Sequence, residues 1–545
     1  MQGSLSVNVA RPVSGCSLRP QVKMQRAANW PADLEVEYRW RWLRGSQRIP
    51  NCAAPGCRSA HDYDPVASAR RGSGLLCAPC LKAQQPLESL TFCSARCFVD
   101  AWPCHRDKHR GSRPRSQSDV YDTEAVHGAA YKTDKDWSED NEAQWEVVAE
   151  HTNEFTPSEG DVGRRLRVEC YAVKAGTSDL LGRGFKKTGV VLAAPEAPVP
   201  RPLAPAPQYS SAPRADVRVV SYNVLAEIYA TQHAYPYCER WALDWQYRVR
   251  TVVHELVASD ADVLCLQEAQ RDHYERDLEP ALRARGYEGY FTQKSRESMG
   301  AAGKVDGCAV FWKARKWRLS EQRSVCFNDL AMRSAQNLGL SGHDEHAFLT
   351  RLVKDNVAQF VVLDALDVRG RRVCVANTHL YSHKDFPDTK LWQTLALLRS
   401  LEAFVNGRPL ILAGDFNSGP ESSVYELLAT QAVDPRRPEV QFADARRPGG
   451  ALKILPDARN ITHRLHLASA YFAVQGKEPA FTNLTRTFQG TLDYIWYDPR
   501  ALQCTAVAPI PDVSELTHAG VALPNARHPS DHVMLVSDFI ITAKQ

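Results

Sequence analysis

No apolar run among the 545 residues approaches the ~20 needed to cross a bilayer, so no membrane partner is expected. Neither sign of charge is in excess: 67 Lys and Arg stand against 63 Asp and Glu, a formal net charge of +4. A protein that coats nucleic acid by charge alone is thereby excluded, and any nucleic-acid role has to come from a site. The opening MQGSLSVNVARP holds no apolar core of a secretory signal. The fifteen cysteines are odd in number, and the second half carries them singly. A disulfide framework is not expected, and a reducing compartment is. No G-x-S-x-G and no G-x-x-x-x-G-K-[ST] occurs, which removes the nucleophile elbow and the phosphate loop. No internal repeat is present.

What is present suffices for large cores. Hydrophobic residues make up 44% and charged residues 24%, with a mean hydropathy of -0.39. At roughly 150 residues per domain the length suggests three or four domains, or two with one large.

The composition changes along the chain. In LEVEYRWRWL, Val36, Tyr38, Trp40 and Trp42 alternate with charged residues, the period of a half-buried strand. GRRLRVECYAV repeats the pattern with Leu166, Val168, Cys170 and Ala172. A β-rich region is therefore expected over 1–50 and 140–193, and the two stretches suggest core strands of a small Ig-like sandwich. Residues 111–139, which include RGSRPRSQSD, read as a flexible link. Seven prolines between Pro195 and Pro213 predict a stiff, extended linker over 194–214. From 215 to 541 strand-like runs (VRVVSYN, DVLCLQE, VCVANTH, RPLILAGDFN) alternate with helical spacing in 245–260 and 391–405, which indicates an α/β domain.

Seven cysteines lie between Cys52 and Cys104. Cys52 and Cys57, Cys77 and Cys80, Cys93 and Cys97, and His105 and His109 form four pairs at ligand spacing. Eight thiols and imidazoles satisfy two tetrahedral structural Zn²⁺ sites and leave nothing over for an open catalytic one. C-x3-C-x7-H-x3-H resembles a MYND-type zinc finger, placed over 51–110. That resemblance implies interleaved pairs: Cys52, Cys57, Cys93 and Cys97 on one ion, and Cys77, Cys80, His105 and His109 on the other. It also implies a module that docks short proline-containing peptides.

In the α/β region, buried-strand candidates end on residues able to hold a metal or a phosphate. They are Asn223, Glu268, His379, and Asp415 with Asn417; LDYIWY adds Asp493, and HPSDH adds Asp531 and His532. One polar strand end is ordinary. The set is not, because ligand sites in α/β sheets lie beyond strand ends. Oxygen ligands such as Glu268 and Asp415 suit Mg²⁺. A carboxylate beside an imidazole, Asp493 with His532, can orient the ring and tune its proton affinity. The chemistry these types support is phosphodiester hydrolysis.

SYN, LQE, NTH, GDFN, LDY and SDH, in this order, resemble the endonuclease/exonuclease/phosphatase superfamily. The resemblance implies a four-layer α/β sandwich of the DNase I type. YCERWALDWQYR, DGCAVFW, RLVKDN and FTNLTRTFQGTLDYIWY resemble one branch, the carbon catabolite repressor protein 4 deadenylases, over residues 216 to about 541. The zinc cluster in place of leucine-rich repeats, and a KLWQ helix after NTH, resemble its plant type. For that branch Glu268 is the chief Mg²⁺ ligand, with Asn223 supporting the metal or phosphate. Asp415 and Asn417 orient the attacking water and a second ion. His379 stabilises the transition state, and Asp493 and His532 form an acid–imidazole pair beside Asp531. Phe488 is the candidate for stacking on a base; a core Phe is the alternative. Some relatives have a proline where Lys384 stands, a departure near the position implied for the terminal base.

The activity implied is 3′-to-5′ removal of adenylates from mRNA tails, releasing 5′-AMP. The implied partners are poly(A) and a DEDD-type deadenylase subunit, the latter bound through the zinc finger. Cytoplasm, including processing bodies, and nucleus are the implied locations. Two other readings remain: a different phosphodiesterase or phosphatase of the superfamily, and an inactive scaffold acting through the finger.

Overall fold

The structure, a computed structural model, describes residues 4–48 (without 28, 29 and 32), 145–295, 304–441, 454–455, 461–517 and 521–542, and the backbone of three short strands in between. The chain forms two compact units, Met1–Pro195 and Glu196–Gln545.

In the first unit the strands Trp145–Glu150, Val36–Arg48, Arg164–Lys174 and Leu180–Val190 form one antiparallel sheet in that order. Its core holds Trp42, Leu166, Val168 and Cys170, the residues whose alternation marks these stretches as strands. A hairpin of Ser4–Asn8 and Gln21–Gln25 adds Val7 to the same core. These six strands form a four-stranded and a two-stranded sheet. Residues 49–144 connect two hydrogen-bonded neighbours, Val36–Arg48 and Trp145–Glu150, so the cysteine cluster is an insertion in a hairpin. The zinc-ligand candidates and the link over 111–139 lie outside the described residues. The exceptions are backbone strands at Leu75–Cys77, Thr91–Phe92 and Val120–Asp122, which pair with one another.

The second unit has two large sheets, besides a two-stranded pairing of Asn483–Leu484 with Gln489–Gly490. The first runs Ala204–Pro205, Leu502–Val507, Leu535–Ile541, Val217–Asn223, Val263–Gln270, Asp306–Lys313, Tyr287–Gln293. The second runs Trp317–Cys326, Val357–Ala365, Arg372–His379, Leu410–Asp415, Asp493–Tyr497, Ala468–Ser469. Their inner faces meet through Val217, Val219, Val263, Val361, Val375, Ile411 and Ile495. Alternate residues of the same strands face outward. Val220 and Tyr222 pack with the Trp245–Ala258 helix; Phe360 and Leu412 pack with the Pro387–Val405 helix. Helix, sheet, sheet, helix is the four-layer sandwich expected.

One expectation needs correction. The boundary falls at Pro195, where the proline-rich run begins, but the run is not a free spacer. Ala204–Pro205 pairs with Leu502–Val507 at the sheet edge, the place where a residue without an N–H is tolerated. Ala206 is buried in the intersheet core. The Arg201 guanidinium donates to the carbonyls of Pro509 (3.0 Å) and Met534. Proline spacing reports stiffness, but it does not report an unpaired sheet edge that accepts the segment. Arg201→Ala should therefore destabilise the second unit by about 1–3 kcal/mol, because buried carbonyls lose a charged donor. Urea unfolding of the full chain followed by tryptophan fluorescence measures it.

Candidate active site

Strand phase explains why the polar ends meet. Val217 and Val219 face the opposite sheet, so Asn223, in the same phase, does too. Val373 and Val375 place His379, Ile411 and Ala413 place Asp415, and Ile495 places Asp493, all on the intersheet face. Register brings them side by side: His379 is opposite Asp415, and Asp415 is opposite Asp493. Gly414 allows this approach, since a Cβ there would stand 2.2 Å from the Thr378 carbonyl oxygen.

Glu268 breaks the rule. Simple alternation would send it outward with Leu264 and Leu266. Instead the register slips between Leu266 and Ala269, and Glu268 takes φ 56°. A bulge with a left-handed residue re-aims one side chain, and the carboxylate turns into the site. Asn223 Nδ2 donates to Glu268 Oε1 (3.1 Å) and to Asp415 Oδ2 (3.0 Å). The Ala226 N–H binds Glu268 Oε2 at 2.9 Å. Asn223 Oδ1 accepts from the Leu225 N–H, so in this orientation Asn223 is a neutral cross-link between two carboxylates. Asn417, also left-handed at φ 48°, donates its N–H to Asp415 Oδ1 at 2.9 Å.

The imidazoles differ in charge. His532 Nδ1 lies 2.8 Å from Asp493 Oδ2, and its Nε2 lies 3.7 Å from Asp415 Oδ2. Burial alone would lower its proton affinity, but Asp493, Asp531 and Asp415 outweigh burial and hold it well above the ordinary imidazole value. His379 Nε2 is 3.5 Å from Asp415 Oδ2. There burial, aided by Lys294, prevails and pushes the pKa down to about 4. At neutral pH the pair is one imidazolium and one neutral imidazole.

All eight predicted polar residues lie within this network, except that Asp531 joins through its neighbour His532 and is held by Tyr235 (2.9 Å) and Asn483 (3.0 Å). Six of them, all but Asn223 and Asp493, line a cleft of about 790 Å³ that Lys384, Lys390 and Phe488 also line. Phe488 is 45% exposed, so it is not a core residue. The structure adds partners that the strand-end reading missed. Lys294 Nζ is 2.6 Å from Asp306 Oδ2, whose other oxygen accepts from Tyr229. Thr482 donates to Asp493 (2.6 Å). The buried Arg248 binds the carbonyls of Leu225 (2.9 Å) and Pro529 (3.1 Å), one in each loop of the site. Their signal was available: DGCAVFW, FTNLT and WQYR contain Asp306, Thr482 and Arg248.

The residues fit a divalent cation. Asp415 and Asp493 bring carboxylate oxygens within 4.8 Å of each other, with the His532 imidazolium beside them as an ion-pair partner and not a ligand. Asp493 Oδ1 is buried without a hydrogen-bond partner. Burial and the nearby Asp306 push Glu268 up to about 7, and burial and Asp493 raise Asp415. This is crowded negative charge of hard oxygen donors, the environment that Mg²⁺ relieves.

A pH dependence follows. Glu268 binds its proton more tightly folded than unfolded, so its contribution to stability is lost as pH rises towards about 7. His532 acts in the same direction, lost as pH rises through its raised folded value. His379, whose pKa is lowered, works the other way up to pH 6.5, so in metal-free buffer the melting temperature of the second unit should fall above that, between pH 6.5 and pH 8. Mg²⁺ should restore it, most strongly at pH 8, and Glu268→Gln should flatten both effects. Scanning calorimetry in chelator and in Mg²⁺ measures this.

Comparison with known proteins identifies the family. The Endonuclease/Exonuclease/phosphatase family pattern matches residues 220–532. Carbon catabolite repressor protein 4 homolog 1 of Arabidopsis thaliana is 32% identical over 97% of this chain and 96% of its own length. Its homolog 2 is 30% identical over 98% and 97%. A 3′-5′-exoribonuclease subunit of the CCR4-Not complex of Mycosarcoma maydis is 33% identical over 59% of this chain and 50% of its own. Among solved structures, the 2′,3′-cyclic phosphatase ANGEL2 is 27% identical over 60% of this chain and 96% of its own, with a TM-score of 0.48. The plant alignments run through both units where the fungal one covers a little over half, and the chain belongs to the endonuclease/exonuclease/phosphatase family, among the carbon catabolite repressor protein 4 homologues of the plant type.

Proposed function

We propose that the second unit is a 3′-to-5′ poly(A)-specific exoribonuclease, the catalytic part of an mRNA deadenylase, releasing 5′-AMP. The observation that carries this is the convergence of Asn223, Glu268, His379, Asp415 and His532 at the base of a cleft whose wall holds an exposed aromatic ring, Phe488. The names of the relatives support the same reading: complex subunits from Mycosarcoma maydis and Xenopus laevis, one of them printed as a 3′-5′-exoribonuclease.

Glu268, with Asp415 and Asn417, would hold Mg²⁺, which would neutralise charge developing on the scissile phosphate. Asp415, its proton affinity raised by burial, orients water and takes its proton as the water oxygen attacks phosphorus. His532, kept protonated by Asp493, faces the developing negative charge with Nε2. His379, neutral near pH 7, donates a hydrogen bond to a phosphate oxygen and adds no charge. The bond from phosphorus to the 3′-oxygen breaks and that oxygen takes up a proton from solvent water; the shortened strand keeps a 3′-hydroxyl and the terminal nucleotide departs as 5′-AMP. Phe488 stacks on a base.

The test is Mg²⁺-dependent release of AMP from 5′-labelled RNA ending in adenines, with oligo(C) as the control. Glu268→Ala should lose about 10³-fold in rate, the order seen when a transition-state electrostatic group is removed, with unfolding unchanged in cooperativity. Full activity in that variant would refute the site. Equal cleavage of oligo(C) would point to another phosphodiesterase of the superfamily, and a folded but inert wild type would favour the scaffold reading.

The cysteine cluster is proposed as a double Zn²⁺ finger that recruits the DEDD-type deadenylase subunit, in the cytoplasm and nucleus. Metal analysis of the full chain should give two tightly held zinc ions, since thiolate sites fold around zinc. Cys93→Ser should cost zinc and partner binding in a pull-down and leave AMP release intact. A zinc-free chain that still binds the partner would refute the finger.

A further inference from the structure

The active-site cleft contains cationic and donor groups that the chemistry at Glu268 and His532 does not use. Lys390, in the first turns of the Pro387–Val405 helix, lines the cleft. Its Nζ donates to the Asn417 carbonyl at 2.8 Å, and among the described residues no carboxylate lies within ion-pair distance. Burial lowers its pKa, with Asp415 and Glu439 working the other way. A half-buried ammonium that meets only a neutral oxygen has unused attraction for an anion.

A second element points at the same place. The eight-residue helix Ser423–Thr430 starts in the cleft wall, capped by Ser422, which accepts from the Tyr425 N–H. Ser422, Ser423 and Val424 line the cleft beside Lys390. First-turn N–H groups lack intrahelical acceptors and favour negative charge. Ser423 is 1% exposed, and its Oγ has no hydrogen-bond partner. An unmet buried hydroxyl at a helix start is a donor awaiting an acceptor. Two carboxylates, Glu421 and Glu439, also line the cleft.

We infer that Lys390, Ser423 and the first turn of the Ser423–Thr430 helix form a second phosphate subsite, which holds the internucleotide phosphate adjacent to the scissile one. The inference rests on the nuclease reading and deepens it: the enzyme measures two phosphates of the substrate strand. ApA offers only the scissile phosphate. ApApA offers one more.

The experiment uses the full chain in Mg²⁺ with both substrates. Wild type should prefer ApApA by about tenfold in kcat/KM, the value of one charge-assisted contact. Lys390→Met should lose most of that preference while cleaving ApA as wild type does; Ser423→Ala should lose part, and Lys390→Arg should keep it. An undiminished preference in Lys390→Met overturns the subsite. Binding of a phosphorothioate oligo(A), followed by anisotropy against salt, gives an independent readout. The slope of log affinity on log salt should fall by about 0.7 in Lys390→Met, one single-strand phosphate contact, and an unchanged slope also overturns it. If wild type binds but releases no AMP from any adenylate chain, the deadenylase reading fails while the slope still decides the subsite.

Discussion

Everything in the second unit is arranged around carboxylates held where water is scarce. Asp415 and Asp493 are each at most 2% exposed, and they sit in register with each other. Like charges this close cannot both be stable without compensation. The protein supplies it in three forms: an imidazolium at His532, the Asn223 amide between two carboxylates, and the Lys294 ammonium behind Asp306. What remains uncompensated is the affinity for a hard cation and, through it, for phosphate.

That electrostatic arrangement depends on the intersheet core. Close packing of Val219, Val361, Val375, Ile411 and Ile495 fixes the distance between the sheets to within what interior packing allows. The polar residues follow from the next step of the same alternation. Side chains that pack the core and side chains that make the site thus lie on one surface, and a register slip in either sheet would remove the site with the core. Arg248 guards the loops above, joining the segment after Asn223 to the turn before His532.

The first unit is built differently. Its sheet is closed by Trp42, Leu166, Val168 and Cys170, and the cysteine cluster enters through the connection between adjacent antiparallel strands. Such an insertion leaves the sheet register undisturbed, because the strand ends stay hydrogen-bonded neighbours on either side of it.

The sequence by itself determined much of this protein. Period-two runs named two strands of the first unit and buried apolar runs named four of the second, and polar residues at the ends of those four named Asn223, Glu268, His379 and Asp415, because strand pattern is a local property of the backbone. It also marked Pro195 as a boundary. Three matters were decided only by the tertiary structure. Glu268 reaches the site through a bulge, which depends on the partner strand and not on the local pattern. The proline-rich run joins a sheet because an unpaired edge lies beside it in space. The opposite charge states of His379 and His532, two residues of one type, follow from which carboxylates each one faces. That is a matter of distance across the fold, and no spacing along the chain encodes it.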